Sequence, residues 1–202
     1  MCIVGYIDDK IQDYSGYQEI FKRFGIELLF CGDISSKEKI LNWILENKIT
    51  CIIADYNLNT KVNFTGNDLL NYLLCQVPDL PCVIFTSYLS QAQRRKNVPS
   101  FLVFDKDDLS NREKREYLCK EIKNCSEIFN NRLMEREKRF LSLKEKKMNL
   151  LITNIEEEEF LNLYKFLRMY LDLDDIPTQL LKSNIDKKLD EILNDLNNLL
   201  DK

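Results

Sequence analysis

The chain has 202 residues, of which 45% are hydrophobic and 31% charged, and its formal net charge is −4. This composition is ordinary for a soluble protein, and the length allows one full domain with a smaller appendage. The absence of histidine excludes a histidine general base, a histidine-bearing zinc site and a phosphohistidine donor within the chain. No basic stretch leads into a long apolar run, so we expect neither secretion nor membrane spanning.

The seven cysteines are spread along the chain, and no two of them form a Cys-x-x-Cys pair. This spacing is typical of neither a zinc site nor a disulfide framework. We therefore expect reduced thiols that pack as small apolar side chains, and a cytoplasmic location.

Short apolar runs recur across the first half of the chain and are rich in Ile, Val, Phe and Cys. Their length of four to six residues is typical of buried strands. The five runs are Cys2–Ile7, Ile26–Cys31, Cys51–Ala54, Cys82–Phe85 and Phe101–Phe104.

Segments of helical period lie between these runs. They are Tyr14–Phe24, closed by Gly25; Ser36–Asn47, opened by Ser35; Asn67–Val77; and Tyr88–Asn97. Because parallel strands need a crossover between them, this alternation predicts an α/β domain with a five-stranded, mostly parallel sheet.

The second half of the chain is predicted to be helical throughout. From Asn111 to about Lys147 it is rich in charged helix formers and has no Gly or Pro, which predicts one long helix. Two amphipathic helices are expected to follow, Ile155–Leu171, led by Asn154, and Asn184–Leu200. The apolar stripe of the long helix is Leu118, Ile122, Cys125 and Phe129, then Phe140 and Leu143, interrupted by Arg132 and Arg136.

Charge divides the chain into three zones. Residues 1–110 carry 11 basic and 14 acidic groups, 111–149 carry 12 and 7, and 150–202 carry 6 and 12. We predict an α/β domain over 1–110, a long helix or coiled-coil connector over 111–149, and a small helical interaction module over 150–202.

Polar side chains follow four of the five predicted strands, where functional groups of a parallel sheet gather. They are Asp8 and Asp9 after the first strand, Asp55 after the third, Thr86 after the fourth and Lys106 after the fifth. Carboxylates are ligands for hard divalent cations, and a lysine neutralises phosphoryl oxygens. The set therefore predicts a site for a divalent metal and a phosphoryl group.

At these positions the sequence resembles the response regulator receiver family. The resemblance covers about residues 1–125 and rests on Ile-Asp8-Asp9, Ile-Ile-Ala-Asp55-Tyr-Asn-Leu58, Val-Ile-Phe-Thr86-Ser87 and Phe-Asp-Lys106. It implies a doubly wound five-stranded parallel sheet, here followed by an all-helical C-terminal extension.

The resemblance also implies a phosphoacceptor role for Asp55. This residue would take a phosphoryl group from the phosphohistidine of a partner sensor histidine kinase by self-catalysed transfer, and the chain would not be an enzyme otherwise. Thr86 and Lys106 would contact the phosphoryl oxygens, and the chain would then rearrange as a two-state switch.

The implied cofactor is Mg²⁺. By the same resemblance, Asp9 would bind the ion directly, and Asp8 would hold it largely through water. Asp55 and the backbone carbonyl of Asn57 would be further ligands.

Two departures from the family pattern bear on signalling. Asp107 follows Lys106 where the family usually has Pro, and Val103 stands where it has a switch aromatic, with Phe101 and Phe104 as neighbours. These departures leave open a degenerate receiver that acts as an unphosphorylated scaffold.

The C-terminal half carries none of the catalytic motifs considered, namely a phosphate-binding Gly-rich loop, a cyclase Gly-Gly motif or metal-binding histidines. We expect it to contact a downstream protein partner, and a homodimer through the C-terminal helices is an alternative. The acidic balance of 150–202 disfavours nucleic acid, which is bound by basic surfaces. A phosphorylation-controlled nucleic-acid-binding regulator stays the alternative function, with 111–149 as its contact.

Overall fold

The computed structural model describes residues 2–11, 14–58, 62–87, 89, 103–171, 173 and 193. The chain divides into two compact units, Met1–Arg132 and Leu133–Lys202. Within the described ranges, no helix has both the length and the apolar character needed to cross a membrane.

The first unit is built around a parallel sheet of five strands in the order β2-β1-β3-β4-β5. The strands are β1 Cys2–Ile7, β2 Ile26–Phe30, β3 Cys51–Asp55, β4 Cys82–Thr86 and β5 Val103–Asp105. This order is that of a doubly wound sheet whose direction of winding reverses between β1 and β3. The predicted fold class is therefore confirmed.

Helices connect the strands as the alternating pattern predicts. They are α1 Tyr14–Arg23, α2 Lys37–Glu46 and α3 Gly66–Gln76, and a short 3₁₀ helix, Lys106–Leu109, follows β5. Gly25 ends α1 with a φ of 72°, a left-handed conformation that glycine adopts without steric cost. The predicted helices Tyr88–Asn97 and Asn184–Leu200 lie outside the described residues, except for Leu89 and Leu193.

One long helix, α4 Arg112–Met148, follows the 3₁₀ helix, and α5 Asn154–Tyr170 follows α4. The single long helix predicted from the sequence is thus confirmed. Two residues of its predicted apolar stripe, Leu118 and Ile122, belong to the same buried core cluster as residues of β1, β2 and β3. Thr50 and Ser126 add a buried hydrogen bond of 2.7 Å between their hydroxyls, joining the start of β3 to α4.

The strands β1, β3 and β4 are almost completely buried because helices cover the sheet, whereas the edge strands β2 and β5 are partly exposed. All seven cysteines are free thiols, and five of them, including Cys51 and Cys82, are buried. Burial raises the pKa of Cys82 to about 12 and raises that of Cys51 as well, so these thiols stay protonated at neutral pH. They pack as small apolar side chains, as the sequence predicts.

Two predicted helix caps are wrong by one residue. Ser36, not Ser35, caps α2, since its Oγ accepts a hydrogen bond from the Lys39 N–H, while the N–H of Ser35 donates to Asp33. Thr153, not Asn154, caps α5 in a reciprocal pair of hydrogen bonds with Glu156.

The second unit has its own apolar core, which lies between the C-terminal part of α4 and the helix α5. Its buried members are Phe140, Leu143, Ile152, Phe160, Tyr164 and Leu167. The rings of Phe140 and Phe160 stack with centroids 5.2 Å apart. Arg136, which interrupts the predicted stripe, lies over the ring of Phe166 at 4.5 Å, so its charge stays compatible with this packing.

Candidate functional site

The strand register brings three predicted aspartates together. Ile7 on β1 pairs with Ala54 on β3, so Asp8 and Asp55 are the next residues along two adjacent strands. One carboxylate oxygen from each of Asp8, Asp9 and Asp55 lies within 4.8 Å of the others, and all three residues are buried. Burial of three carboxylates at one point requires compensating positive charge.

Lys106 supplies part of that charge from the residue directly after β5. Its Nζ lies 2.7 Å from Asp8 Oδ2 and 3.0 Å from Asp55 Oδ1, so one ammonium bridges two of the aspartates. The Lys106 side chain is 16% exposed. The predicted proximity of these residues is therefore present in the structure, although the chemical role of each remains a prediction.

Asp8 accepts hydrogen bonds on both of its oxygens. Besides Lys106, the hydroxyl of Tyr6 donates to Oδ2 at 2.5 Å, and the backbone N–H of Lys10 donates to Oδ1 at 2.8 Å. Sequence reasoning missed Tyr6 because it treated the residue as part of an apolar strand. Its spacing of two from Asp8 is the signal, since residues two apart in a strand share a face.

Burial and neighbouring charges shift the pKa values of Asp8, Asp9 and Lys106 in different directions. Burial by itself raises the pKa of Asp8, but hydrogen bonds from Lys106 and Tyr6 outweigh it and hold that pKa below its usual value. Burial, together with the neighbouring Asp8, raises the pKa of Asp9. Burial opposes the charge of Lys106, yet Asp8 and Asp55 raise the pKa of Lys106 overall.

Asp9 is the aspartate of the cluster that has a carboxylate oxygen without a hydrogen-bond partner. It is 5% exposed, and its Oδ2 is buried without a hydrogen-bond partner. A buried carboxylate oxygen in this state is costly unless a cation binds it. Together with the neighbouring Asp8 and Asp55, it forms the all-oxygen donor set that Mg²⁺ prefers.

Thr86 and Asn57 lie where the sequence places them. Asp55 pairs with Phe85 in the sheet, so Thr86 is one residue further along β4, and it is fully buried. The backbone N–H of Asn57 donates to Asp55 Oδ2 at 2.9 Å, which places this residue against the same carboxylate.

Gly66, the first residue of α3, lies directly against the phosphoacceptor candidate. A Cβ at this position would lie 2.2 Å from the backbone oxygen of Asp55, closer than any real contact. The N–H of Gly66 donates to the carbonyl of Tyr56 at 3.0 Å. Only glycine therefore allows α3 to begin so close to the end of β3.

The structure shows the surroundings of both residues that depart from the family pattern. Val103 is buried on β5 and pairs with Ile84, and Phe104 packs against the core of the sheet. Asp107 lies in the 3₁₀ helix, where its N–H donates to Asp105. Phe101 lies outside the described residues.

No family model matches the sequence, and no curated protein matches it. Solved structures resemble it at low identity. A response regulator receiver domain protein from Clostridium thermocellum is 18% identical over 63% of this chain and 95% of its own, with a TM-score of 0.46. The anti-anti-sigma factor PhyR from Bartonella quintana is 15% identical over 67% of this chain and 51% of its own, with a TM-score of 0.48.

NtrX from Brucella abortus is 16% identical over 75% of this chain and 35% of its own, with a TM-score of 0.49. The chain thus spans about half the length of PhyR and about a third of NtrX. The strand order β2-β1-β3-β4-β5 is itself the doubly wound arrangement that the resemblance in the sequence implies.

Proposed function

We propose that the chain is a response-regulator-like signalling protein that accepts a phosphoryl group on Asp55. The observation that carries this proposal is the Lys106 ammonium, which lies within 3.0 Å of both Asp8 and Asp55 beside an uncompensated oxygen of Asp9. Such a set offers a nucleophilic carboxylate, a cation for phosphoryl oxygens and a carboxylate oxygen suited to a metal ion in one buried place.

In the proposed transfer, an Asp55 carboxylate oxygen forms a bond to phosphorus while the bond from phosphorus to the imidazole nitrogen of a partner histidine kinase breaks. The imidazole leaves with the electron pair and takes up a proton. Lys106 exchanges its contact with Asp8 for one with the phosphoryl oxygens, which Thr86 also contacts. The chain has no histidine of its own, so the donor must be another protein or a small phosphodonor.

Asp9, Asp55 and the carbonyl of Asn57 are the residues we assign to Mg²⁺, with Asp8 acting largely through water. When bound, Mg²⁺ supplies positive charge that offsets the phosphoryl group and the carboxylates. The buried oxygen of Asp9 without a partner favours this assignment, because it leaves one ligand position unsatisfied by protein groups.

For the output we propose contact with a protein partner. Four large apolar side chains at the turn between α4 and α5 are exposed, namely Met148, Leu150, Leu151 and Ile155. Exposed apolar side chains at a turn favour contact with a protein surface over contact with the phosphate backbone of nucleic acid. A homodimer through these helices is the alternative partner. We also propose a cytoplasmic location, because the buried thiols are reduced.

The test is intact-mass spectrometry of the full chain with a small phosphodonor and Mg²⁺. We expect a gain of one phosphoryl group that a chelator abolishes and that Asp55→Asn lacks. Asp33→Asn, which removes an exposed carboxylate bound by Lys39, is the matched control and should be phosphorylated normally. A mass gain in Asp55→Asn would overturn the assignment, and no gain in the wild type would indicate the unphosphorylated scaffold.

A further inference from the structure

The Tyr6 hydroxyl lies in the same buried network as the aspartate cluster. Tyr6 is 1% exposed and shares Asp8 Oδ2 as hydrogen-bond acceptor with Lys106. With the Lys10 N–H on Oδ1, three donors hold the Asp8 carboxylate. Its position and rotation are therefore set before any ligand arrives.

The ring of Tyr6 is itself fixed by other aromatic rings. Its centroid lies 5.7 Å from that of Tyr17, 6.2 Å from Phe30 and 6.5 Å from Tyr14. Because buried side chains at such packing density occupy defined rotamers, the hydroxyl cannot turn to another acceptor without disturbing these rings. The hydrogen bond to Asp8 is thus supported by the core of the unit.

We propose that Tyr6 is a positioning residue for Mg²⁺: its hydroxyl orients Asp8 so that this carboxylate, acting largely through water, holds the ion together with Asp9 and Asp55. The inference rests on the proposed function, since it concerns the metal of the same site. Removing a hydrogen-bond partner of a metal-binding carboxylate costs about 10- to 100-fold in metal affinity. Without the hydroxyl, Lys106 is the remaining side-chain donor to Oδ2 and draws Asp8 toward Asp55.

Tyr6→Phe tests this inference, because it keeps the ring and removes the hydroxyl. We expect the Kd for Mg²⁺, measured by isothermal titration calorimetry on the full chain without phosphodonor, to rise about tenfold. Tyr14→Phe is the matched control. Its hydroxyl donates to the Leu28 carbonyl at 2.8 Å and its ring stacks on Tyr6, so it should bind Mg²⁺ like the wild type.

The same substitution made in the Asp8→Ala variant distinguishes positioning of Asp8 from a general loosening of the core. In Asp8→Ala the acceptor of the Tyr6 hydroxyl is gone, so we expect Tyr6→Phe to cause no further loss of Mg²⁺ affinity there. An equal loss with and without the Asp8 side chain would overturn the proposal, because loosening does not depend on that acceptor.

The remaining outcomes separate this inference from the proposed function. The same Kd in the wild type and Tyr6→Phe would overturn the positioning role and leave phosphorylation of Asp55 untouched. A wild-type chain that binds no Mg²⁺ would overturn both. Normal Mg²⁺ binding with a tenfold loss in Tyr6→Phe would support the positioning role even if no phosphodonor modified Asp55.

Discussion

Lys147 Nζ lies 2.7 Å from Glu157 Oε1, and both side chains are buried in the second unit, the lysine with no exposed surface. The ammonium also lies 5.1 Å from the centre of the Phe160 ring. A buried ion pair costs desolvation energy on both sides, so each charge depends on its partner. This pair links α4 and α5 within their apolar core.

Lys147→Ala should therefore destabilise the second unit by about 3–5 kcal/mol, because it leaves Glu157 buried without its charged partner. Chemical denaturation followed by circular dichroism measures this loss. Arg112→Ala is the control, since it breaks an ion pair with Glu116 that is largely exposed and screened by solvent, and it should cost far less stability than Lys147→Ala. Similar losses of unfolding free energy in both variants would show that the burial of Lys147 does not make its ion pair more important for stability.

Gly66→Ala should disturb both the fold and the candidate site. The added Cβ would meet the backbone oxygen of Asp55 at 2.2 Å, so α3 or the end of β3 must move. We expect a loss of about 1–3 kcal/mol, the usual cost of overpacking, together with slower phosphorylation of Asp55. Denaturation and intact-mass time courses measure the two effects.

Gly16→Ala is the matched control for this variant. Gly16 lies within α1, and a Cβ there would meet nothing within 4 Å. Because alanine is the better helix former, this change should stabilise the protein by up to about 1 kcal/mol. If Gly66→Ala behaved in the same way, the close approach to Asp55 would be disproved.

Asp9→Asn should have opposite effects with and without metal. The raised pKa of Asp9 means that its charge is disfavoured in the folded state, so stability falls as pH rises through that pKa. The neutral amide avoids this cost, and we expect a higher Tm than the wild type at neutral pH without Mg²⁺.

Added Mg²⁺ should raise the Tm of the wild type, because the ion binds the folded state selectively. In Asp9→Asn this rise should be much smaller. Differential scanning calorimetry with and without Mg²⁺ measures both predicted changes in Tm. An equal Mg²⁺-induced rise in the two proteins would place the metal elsewhere.

The second unit should lose stability in acid through Glu156. Hydrogen bonds from Lys146 and from the backbone N–H of Thr153 lower the pKa of Glu156 from 4.5 to about 2. A lowered folded-state pKa contributes stability above 4.5, and this is lost as pH falls toward 2.

Thermal melts of Glu156→Gln between these pH values should show a weaker pH dependence than the wild type. Glu158→Gln, on the exposed side of α5, serves as the control and should keep the wild-type profile. An unchanged profile in Glu156→Gln would assign the acid sensitivity to other carboxylates.

The fold and the placement of the site residues could be predicted from the sequence because they depend on two simple regularities. Apolar runs such as Cys51–Ala54 mark buried strands, and the carboxyl ends of parallel strands meet at one edge, which brings Asp8 to Asp55. The same regularity predicted Lys106 at this edge, whereas its ion pairs with both Asp8 and Asp55 are seen only in the structure. The limits of the domains at 110 and 149 stay predictions.

What could not be predicted depends on contacts between single side chains. Tyr6 fits the apolar pattern of a buried strand and also carries a hydroxyl, so its hydrogen bond to Asp8 cannot be recognised from the sequence alone. The caps of α2 and α5 were ambiguous because two polar residues stand next to each other at each start, and local hydrogen bonds decide between them. Ser35 donates its N–H to Asp33, which leaves Ser36 to begin the helix.

The distribution of thiols makes the chain suitable for site-selective labelling. Cys75 on α3 is exposed, Cys125 is half-buried, and the other five thiols are buried. Maleimide dyes react with accessible thiolates, so Cys75 of the unmodified sequence should take up the dye first. The fluorophore would then report from the helix whose first residue touches the Asp55 carbonyl, and events at that aspartate could be followed optically in real time.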